Sequence, residues 1–210
     1  AMTTAPTSDH GPARDLTELR ELVDRGSQAL SAGDLQTARD AFEAAATRFP
    51  DEPVGHNNLG ALYMGLGECA AAEVAFARVV ELLPENANCR FNLALARFKQ
   101  EKHAEAEADF AAVVAADPED AEARNNLGTC RFLIGKTGQA RADFTAALQL
   151  QSNYPSAVLN LCDLEVGCGN PDAAKGLCLA YLEHHQDGGV LRRLLELLDA
   201  QGARARQAEG

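Results

Sequence analysis

Four asparagines follow one another at intervals of 34 residues: Asn58, Asn92, Asn126 and Asn160. Asn has only average to poor helix propensity, because its side chain competes for backbone hydrogen bonds. Its return at this spacing therefore indicates a role other than helix formation. A side-chain amide carries a donor and an acceptor that match the N–H and C=O of a peptide group. Such amides could bind an extended peptide backbone almost regardless of its sequence, or they could bond to neighbouring helices or to water.

A second set of polar residues repeats a pair of arginines seven residues apart. Its members are Arg90, Arg97, Arg124 and Arg131. Lys99 lies close to the first pair. Guanidinium groups bind carboxylates or phosphates bidentately, so this set predicts a partner segment with acidic side chains or a free C-terminus. The alternative is intramolecular pairing with acids such as Glu119 and Glu122.

Other residue types give no pattern that predicts catalysis, a cofactor or a metal site. The five His residues do not combine with Cys, Ser or Asp into a triad. The six Cys residues include no CxxC pair and no His at metal-ligand spacing, and free Cys commonly packs as a small hydrophobe. We therefore predict a non-enzymatic protein without a cofactor, with its cysteines in the core.

The acidic balance of the chain limits its partners. The 210 residues carry a formal net charge of -12, whereas nucleic acids and anionic membranes attract positively charged proteins. No apolar run approaches the roughly 18 to 20 residues of a membrane span, and the first residues lack the basic and apolar segments of a signal peptide. We expect a cytoplasmic protein with no nucleic-acid partner and no direct membrane insertion.

The 34-residue period extends well beyond the asparagines and divides the chain into repeats. A Leu and then a small residue follow each Asn of the series, and Ala, Phe and Pro recur at the same step. The further columns are Leu59, Leu93, Leu127 and Leu161; Gly60, Ala94, Gly128 and Cys162; Ala38, Ala72, Ala106, Ala140 and Ala174; Phe42, Phe76, Phe110, Phe144 and finally Cys178; and Pro50, Pro84 and Pro118. The predicted repeats are 19–52, 53–86, 87–120, 121–154 and 155–188.

Each repeat is predicted to form two helices, because apolar positions recur at spacings of three and four residues between breaks at Gly or Pro. The turn inside the repeat falls on Gly33, Gly67, Gly135 and Gly169, where a positive φ is easily adopted by Gly. Glu101 takes this place in the third repeat, so we expect a less tight turn there.

These helix pairs, with small residues, Phe and Pro at fixed offsets, resemble the tetratricopeptide repeat family. The resemblance implies an all-α fold, a right-handed superhelical solenoid of antiparallel helix pairs, in which the first helices of successive repeats line a concave groove. It places the four asparagines in a row along that groove, like the asparagine ladders of some such proteins. Asp24 takes the equivalent place in the first repeat.

The same resemblance places further side chains in the groove. By register they include Asn57, Asn125, Phe98, Phe132 and Lys99. The two Phe residues could contact a ligand or pack between helices. The carboxylate clamp of chaperone-binding members is not reproduced, because the two basic residues that it needs in its third repeat have no match.

The segments outside the repeats have their own predictions. Residues 189–202 place Leu191, Leu194, Leu195 and Leu198 on one helical face, which fits a helix that caps the last repeat, or a partner-binding or dimerising helix. Residues 1–14 are expected to be a disordered leader, and 203–210 a frayed tail. Together these features predict an adaptor that binds an extended peptide segment of another protein. The alternatives are a homo-oligomeric scaffold or the recognition module of a larger enzyme such as a glycosyltransferase.

Overall fold

The computed structural model describes the chain from residue 16 to residue 208, with side chains to residue 200, and this part contains eleven α-helices. The predicted leader lies outside the described residues. Five helices begin the repeats: α1 (Thr17–Ser31), α3 (Pro53–Leu66), α5 (Ala87–Lys99), α7 (Ala121–Leu133) and α9 (Pro155–Gly167). Five complete them: α2 (Leu35–Arg48), α4 (Cys69–Leu82), α6 (His103–Ala116), α8 (Thr137–Leu150) and α10 (Pro171–Leu182). The last helix is α11 (Gly188–Ala208).

Each first helix packs against the second helix of its own repeat, and from α3 onward it also packs against the second helix of the repeat before it. The resulting stack of helix pairs confirms the predicted solenoid. Several helices begin with a side-chain cap, because the first N–H groups of a helix have no partner within it. Asn86 accepts a hydrogen bond from the Cys89 N–H at 3.2 Å, and Asp120 accepts one from the Ala123 N–H at 2.8 Å.

The two helices of a repeat meet where a small residue faces a Phe ring. A Cβ atom added to Gly128 would lie 2.8 Å from the ring of Phe144, so only a very small residue allows this approach. In the last repeat both members of the pair are cysteines, and the Sγ atoms of Cys162 and Cys178 lie 3.4 Å apart in the core. The last repeat thus replaces both members of the pair, whereas in the third repeat Ala94 packs in one cluster with Phe110.

The turn of the third repeat is as tight as the others, so the expectation of a looser turn is wrong. Glu101 has a φ of 62°, close to the 76° of Gly67 and the 79° of Gly135. The Lys102 N–H bonds to the Arg97 carbonyl at 3.1 Å, which closes the same turn. The packing of α5 on α6 thus holds a residue with a side chain in this conformation.

Replacing Glu101 with Gly should therefore stabilise the protein by about 1 kcal/mol, since a Cβ atom is unfavourable in the left-handed region. The midpoint of urea denaturation measures the effect. Glu101→Ala removes the same charge but keeps a Cβ atom, and it should change stability by less than about 0.5 kcal/mol. Equal gains in the two variants would assign the effect to the lost charge instead.

Helix α11 covers the end of the solenoid, but with a different face from the predicted one. Val190, Leu194 and Leu197 are buried against α9 and α10. Of the four predicted leucines only Leu194 is buried, and the other three are about half exposed. The helix also continues to Ala208, through most of the segment predicted to be frayed.

Candidate peptide-binding surface

The first helices carry the asparagine row on half-buried positions. Asn58 lies on α3, Asn92 on α5 and Asn126 on α7, one in each of three consecutive repeats. Within the described part of the chain, none of these three side chains makes a hydrogen bond, and none has a buried polar atom without a partner. The polar atoms of these three amides therefore reach the surface formed by the described residues. We call these three residues the open amides.

The fourth asparagine of the row is bonded inside the chain. The Asn160 Nδ2 donates to the Asn125 Oδ1 at 2.9 Å and to the Thr129 Oγ1 at 3.3 Å. Asn125 is buried, and the Thr129 hydroxyl donates to its backbone carbonyl at 3.0 Å. At this position the asparagine joins α7 to α9, which is the neighbouring-helix alternative. Asn57, in contrast, is half buried, and its side chain neither donates nor accepts a hydrogen bond among the described residues.

The aromatic residues of the predicted groove pack between helices while keeping part of their surface exposed. Phe98 packs against the core of the third and fourth repeats and contacts the ring of His103 at 5.3 Å between centroids. Phe132 packs against the cluster that contains Leu161 and Leu164. The packing alternative therefore describes both rings, although their partial exposure leaves an apolar surface beside the amides.

Two of the predicted ligand-binding arginines form ion pairs that connect three helices each. Arg97 contacts Glu73 at 3.0 Å and Asp109 at 2.6 Å. One repeat later, Arg131 contacts Glu107 at 3.0 Å and Asp143 at 2.8 Å. Each guanidinium thus joins the second helix of the preceding repeat to both helices of its own.

The other two arginines also have partners within the chain. Arg90 lies 3.5 Å from Asp109 and donates to the Pro84 carbonyl at 3.2 Å, while Arg124 donates to the Pro118 carbonyl at 2.8 Å. Pairing with acids of the same chain therefore describes Arg90, Arg97 and Arg131, although their partners are not the expected Glu119 and Glu122. Arg124 bonds to a backbone carbonyl instead. Among the predicted basic residues only Lys99 is exposed with no ion pair to a described side chain.

Lysines extend these contacts and shift the pKa values of the acids. Lys136 donates to Glu107 at 2.7 Å, and this hydrogen bond, together with that of Arg131, lowers the pKa of Glu107 against the opposing effect of burial. Burial raises the pKa of Asp143, which the Arg131 contact only partly offsets. The acidic and basic charges of this region therefore neutralise one another instead of presenting a field to a ligand.

The direction of the inter-repeat ion pair reverses at the last repeat. Glu73 and Glu107 are 34 residues apart, and Arg141 occupies the next place in that column. Its partner is Glu165, at 2.5 Å. Glu165 occupies the column that contains Arg97 and Arg131 in the earlier repeats. The hydrogen bond from Arg141 lowers the pKa of Glu165 despite its burial. Sequence reasoning missed these acids, although their columns are visible in the period.

Other kinds of site find no support in the described residues. No group of three or more His, Cys, Asp or Glu side chains there could hold a metal ion. Between residues 16 and 208, no helix combines the length and the apolar character needed to cross a membrane. Cys89, Cys130, Cys162 and Cys178 lie in the core as predicted, whereas Cys69 is partly exposed and Cys168 is exposed.

Comparison with protein families identifies the class of the chain. A tetratricopeptide repeat model matches residues 23–88, 57–118 and 91–157, and a second model of the same description matches residues 134–198. The chain therefore belongs to the tetratricopeptide repeat family. No curated protein matches it.

Solved structures of similar shape belong to the same class. A tetratricopeptide repeat protein from Parabacteroides merdae is 22% identical with a TM-score of 0.78, over 90% of this chain and 75% of that one. MamA from Desulfovibrio magneticus RS-1 is 19% identical with a TM-score of 0.75, over 80% and 94%. YrrB, described as a TPR protein with an unusual peptide-binding site, is 18% identical with a TM-score of 0.71, over 86% and 90%. These likenesses establish the fold.

Proposed function

We propose that this protein is a non-enzymatic adaptor that binds an extended segment of a partner protein across the first helices of its second, third and fourth repeats. The observation that carries the proposal is the set of open amides, Asn58, Asn92 and Asn126, each without a hydrogen-bond partner among the described residues. An amide pairs with the N–H and C=O of a peptide in both directions. Binding through the backbone would accept many sequences.

The span of the open amides sets the length of the bound segment. Packed helices lie about 8 to 10 Å apart, so amides on three successive first helices extend over about 20 Å. An extended chain rises about 3.3 Å per residue, which corresponds to about six residues. Asn160 is bonded within the chain, so we place the end of the backbone contact at the fourth repeat.

Side chains beside the open amides would select among partners. The partly exposed surfaces of Phe98 and Phe132 favour apolar residues in the bound segment. We assign any preference for acidic character to Lys99, because Arg90, Arg97, Arg124 and Arg131 are already paired. The description of YrrB, which has the same fold, as a peptide-binding TPR protein is consistent with this proposal.

The proposal is tested by removing amides with matched controls. The immobilised protein is exposed to a lysate of the source cells, retained proteins are identified by mass spectrometry, and the bound segment is synthesised as a peptide. Asn92→Ala combined with Asn126→Ala should weaken that peptide by about 10- to 100-fold, since each neutral hydrogen bond contributes about 0.5 to 1.5 kcal/mol. Fluorescence anisotropy measures the dissociation constants.

The control removes two exposed amides from the loops, with Asn153→Ala and Gln186→Ala. This variant should bind within about twofold of the parent, and thermal melting establishes that all three proteins are folded. Equal affinity of the amide-deleted variant and the parent would refute backbone binding by the open amides.

A further inference from the structure

Helix α11 carries an apolar face that the described residues leave uncovered. Leu191, Leu195 and Leu198 have exposed fractions of 48%, 53% and 47%. Their spacing of four and then three residues aligns them on one side of the helix. We call these three residues the leucine stripe.

The leucine stripe is not needed to cap the solenoid. The opposite part of α11 does this, through Val190, Leu194 and Leu197, and leaves each of them at most 6% exposed. Single exposed apolar side chains are normal on a protein surface, whereas a row of them more often marks an interface. The leucine stripe is such a row.

The charges beside the leucine stripe indicate what covers it. Arg192 and Asp199 each follow a leucine of the stripe by one position and are seven residues apart, so they lie on the same flank. Both are exposed, and neither has an ion pair with any side chain described up to residue 200. Arg193, on the other side of the helix, is already paired with Asp163 and Glu196.

We propose that a second copy of this chain covers the leucine stripe, with the two α11 helices antiparallel about a twofold axis. An antiparallel arrangement brings the same flank of both helices together with their directions reversed. Arg192 then faces the partner's Asp199, and Asp199 faces the partner's Arg192. A parallel arrangement would instead bring the opposite flanks of the two helices together, and Arg192 and Asp199 would then lack these partners. The charge pattern thus selects the antiparallel dimer.

Such a dimer would be weak and would depend on concentration. The stripe contains only three leucines. We therefore expect the dimer to bury less than about 1,200 Å², which is the low end of standard interfaces. Sedimentation equilibrium of the full chain from about 10 µM to about 1 mM should show the mass rising from 22.3 kDa towards twice that value. Leu195→Glu should keep the mass at that of the monomer over the whole range.

The matched control places the same charge on another exposed apolar residue. Val74, on α4, is 73% exposed, and Val74→Glu should dimerise like the parent. Loss of dimer in both variants would overturn the assignment of the interface to the leucine stripe. Persistence of the dimer in Leu195→Glu would place the interface elsewhere, and a monomeric parent at about 1 mM would overturn the proposal.

A charge exchange tests the antiparallel arrangement itself. Arg192→Glu and Asp199→Arg should each raise the dimer dissociation constant by about fivefold or more, because each creates two like-charge contacts. The double exchange should return it to within about threefold of the parent. Failure of this recovery would overturn the pairing of Arg192 with the partner's Asp199.

Masses that grow past the dimer would also overturn the proposal. They would indicate an open, head-to-tail contact, in which the stripe enters the apolar cleft of about 500 Å³ at the other end of the solenoid. That cleft is lined by Leu16, Thr17, Leu19, Arg20, Val23 and Val54.

Discussion

Replacing Arg131 with Glu should lower the free energy of unfolding by about 3 to 5 kcal/mol. The Arg131 side chain is 21% exposed and lies between Glu107 and Asp143. The substitution would bring three carboxylates together in a region that excludes most water. Urea denaturation followed by circular dichroism measures the loss, and a change below about 1 kcal/mol would contradict the prediction.

A second substitution separates the ion pair from a general intolerance of change. Glu107→Arg in the Arg131→Glu background reproduces the reversed direction of Arg141 and Glu165. It should recover about 1 to 2 kcal/mol. Recovery should be partial, because Lys136 would then lie beside the arginine introduced at position 107, and Asp143 beside the glutamate introduced at position 131. The last repeat avoids both like-charge contacts with Asn170 and Leu177 at those places. A double variant no more stable than the single one would exclude direct pairing.

Phe110→Ala should lower the free energy of unfolding by about 3 to 5 kcal/mol, the usual cost of deleting a buried aromatic ring. Phe110 is fully buried in the central repeat and meets the ring of Phe91 edge to face at 5.4 Å between centroids. Because each repeat contacts only its neighbours, we also expect unfolding to become less cooperative. The midpoint and slope of urea denaturation report both effects.

Leu133→Ala provides the comparison, since Leu133 is half exposed at the end of α7. It should cost less than about 1 kcal/mol. Similar losses in the Leu133 and Phe110 variants would show that burial within the repeat does not determine stability.

The period of the sequence was sufficient to predict the helix pairs, because small residues, Phe and Gly recur where the helices must approach or turn. Glu101 shows the limit of this reasoning at a single turn. Gly at this place in the other repeats predicts a left-handed conformation, whereas the Glu of the third repeat predicts a looser turn. The structure has the left-handed conformation at Glu101 as well. The local preference of Glu is overridden by the packing of α5 on α6.

Predictions for side chains depended on contacts that the sequence does not specify. The position of an arginine on its helix was correct, but the choice of Glu73 or Glu107 as partner follows from how the repeats stack. Helix α11 packs through Val190, Leu194 and Leu197 and exposes Leu195, so its buried face is rotated from the predicted one. The hydrogen bond from Asn160 to Asn125 also depends on such contacts. It was not predictable from the column that Asn160 shares with the open amides.

The direction of the ion pairs determines where the solenoid can change its length. The third repeat, residues 87–120, presents Arg97 to the repeat before it and Glu107 to the repeat after it. A tandem duplication of this segment would place a copy of Glu107 against a copy of Arg97 and preserve every such contact. Duplicating residues 121–154 would instead oppose Arg141 to a copy of Arg131. Growth by gene duplication is therefore compatible with the middle of this protein and unfavourable next to its last repeat.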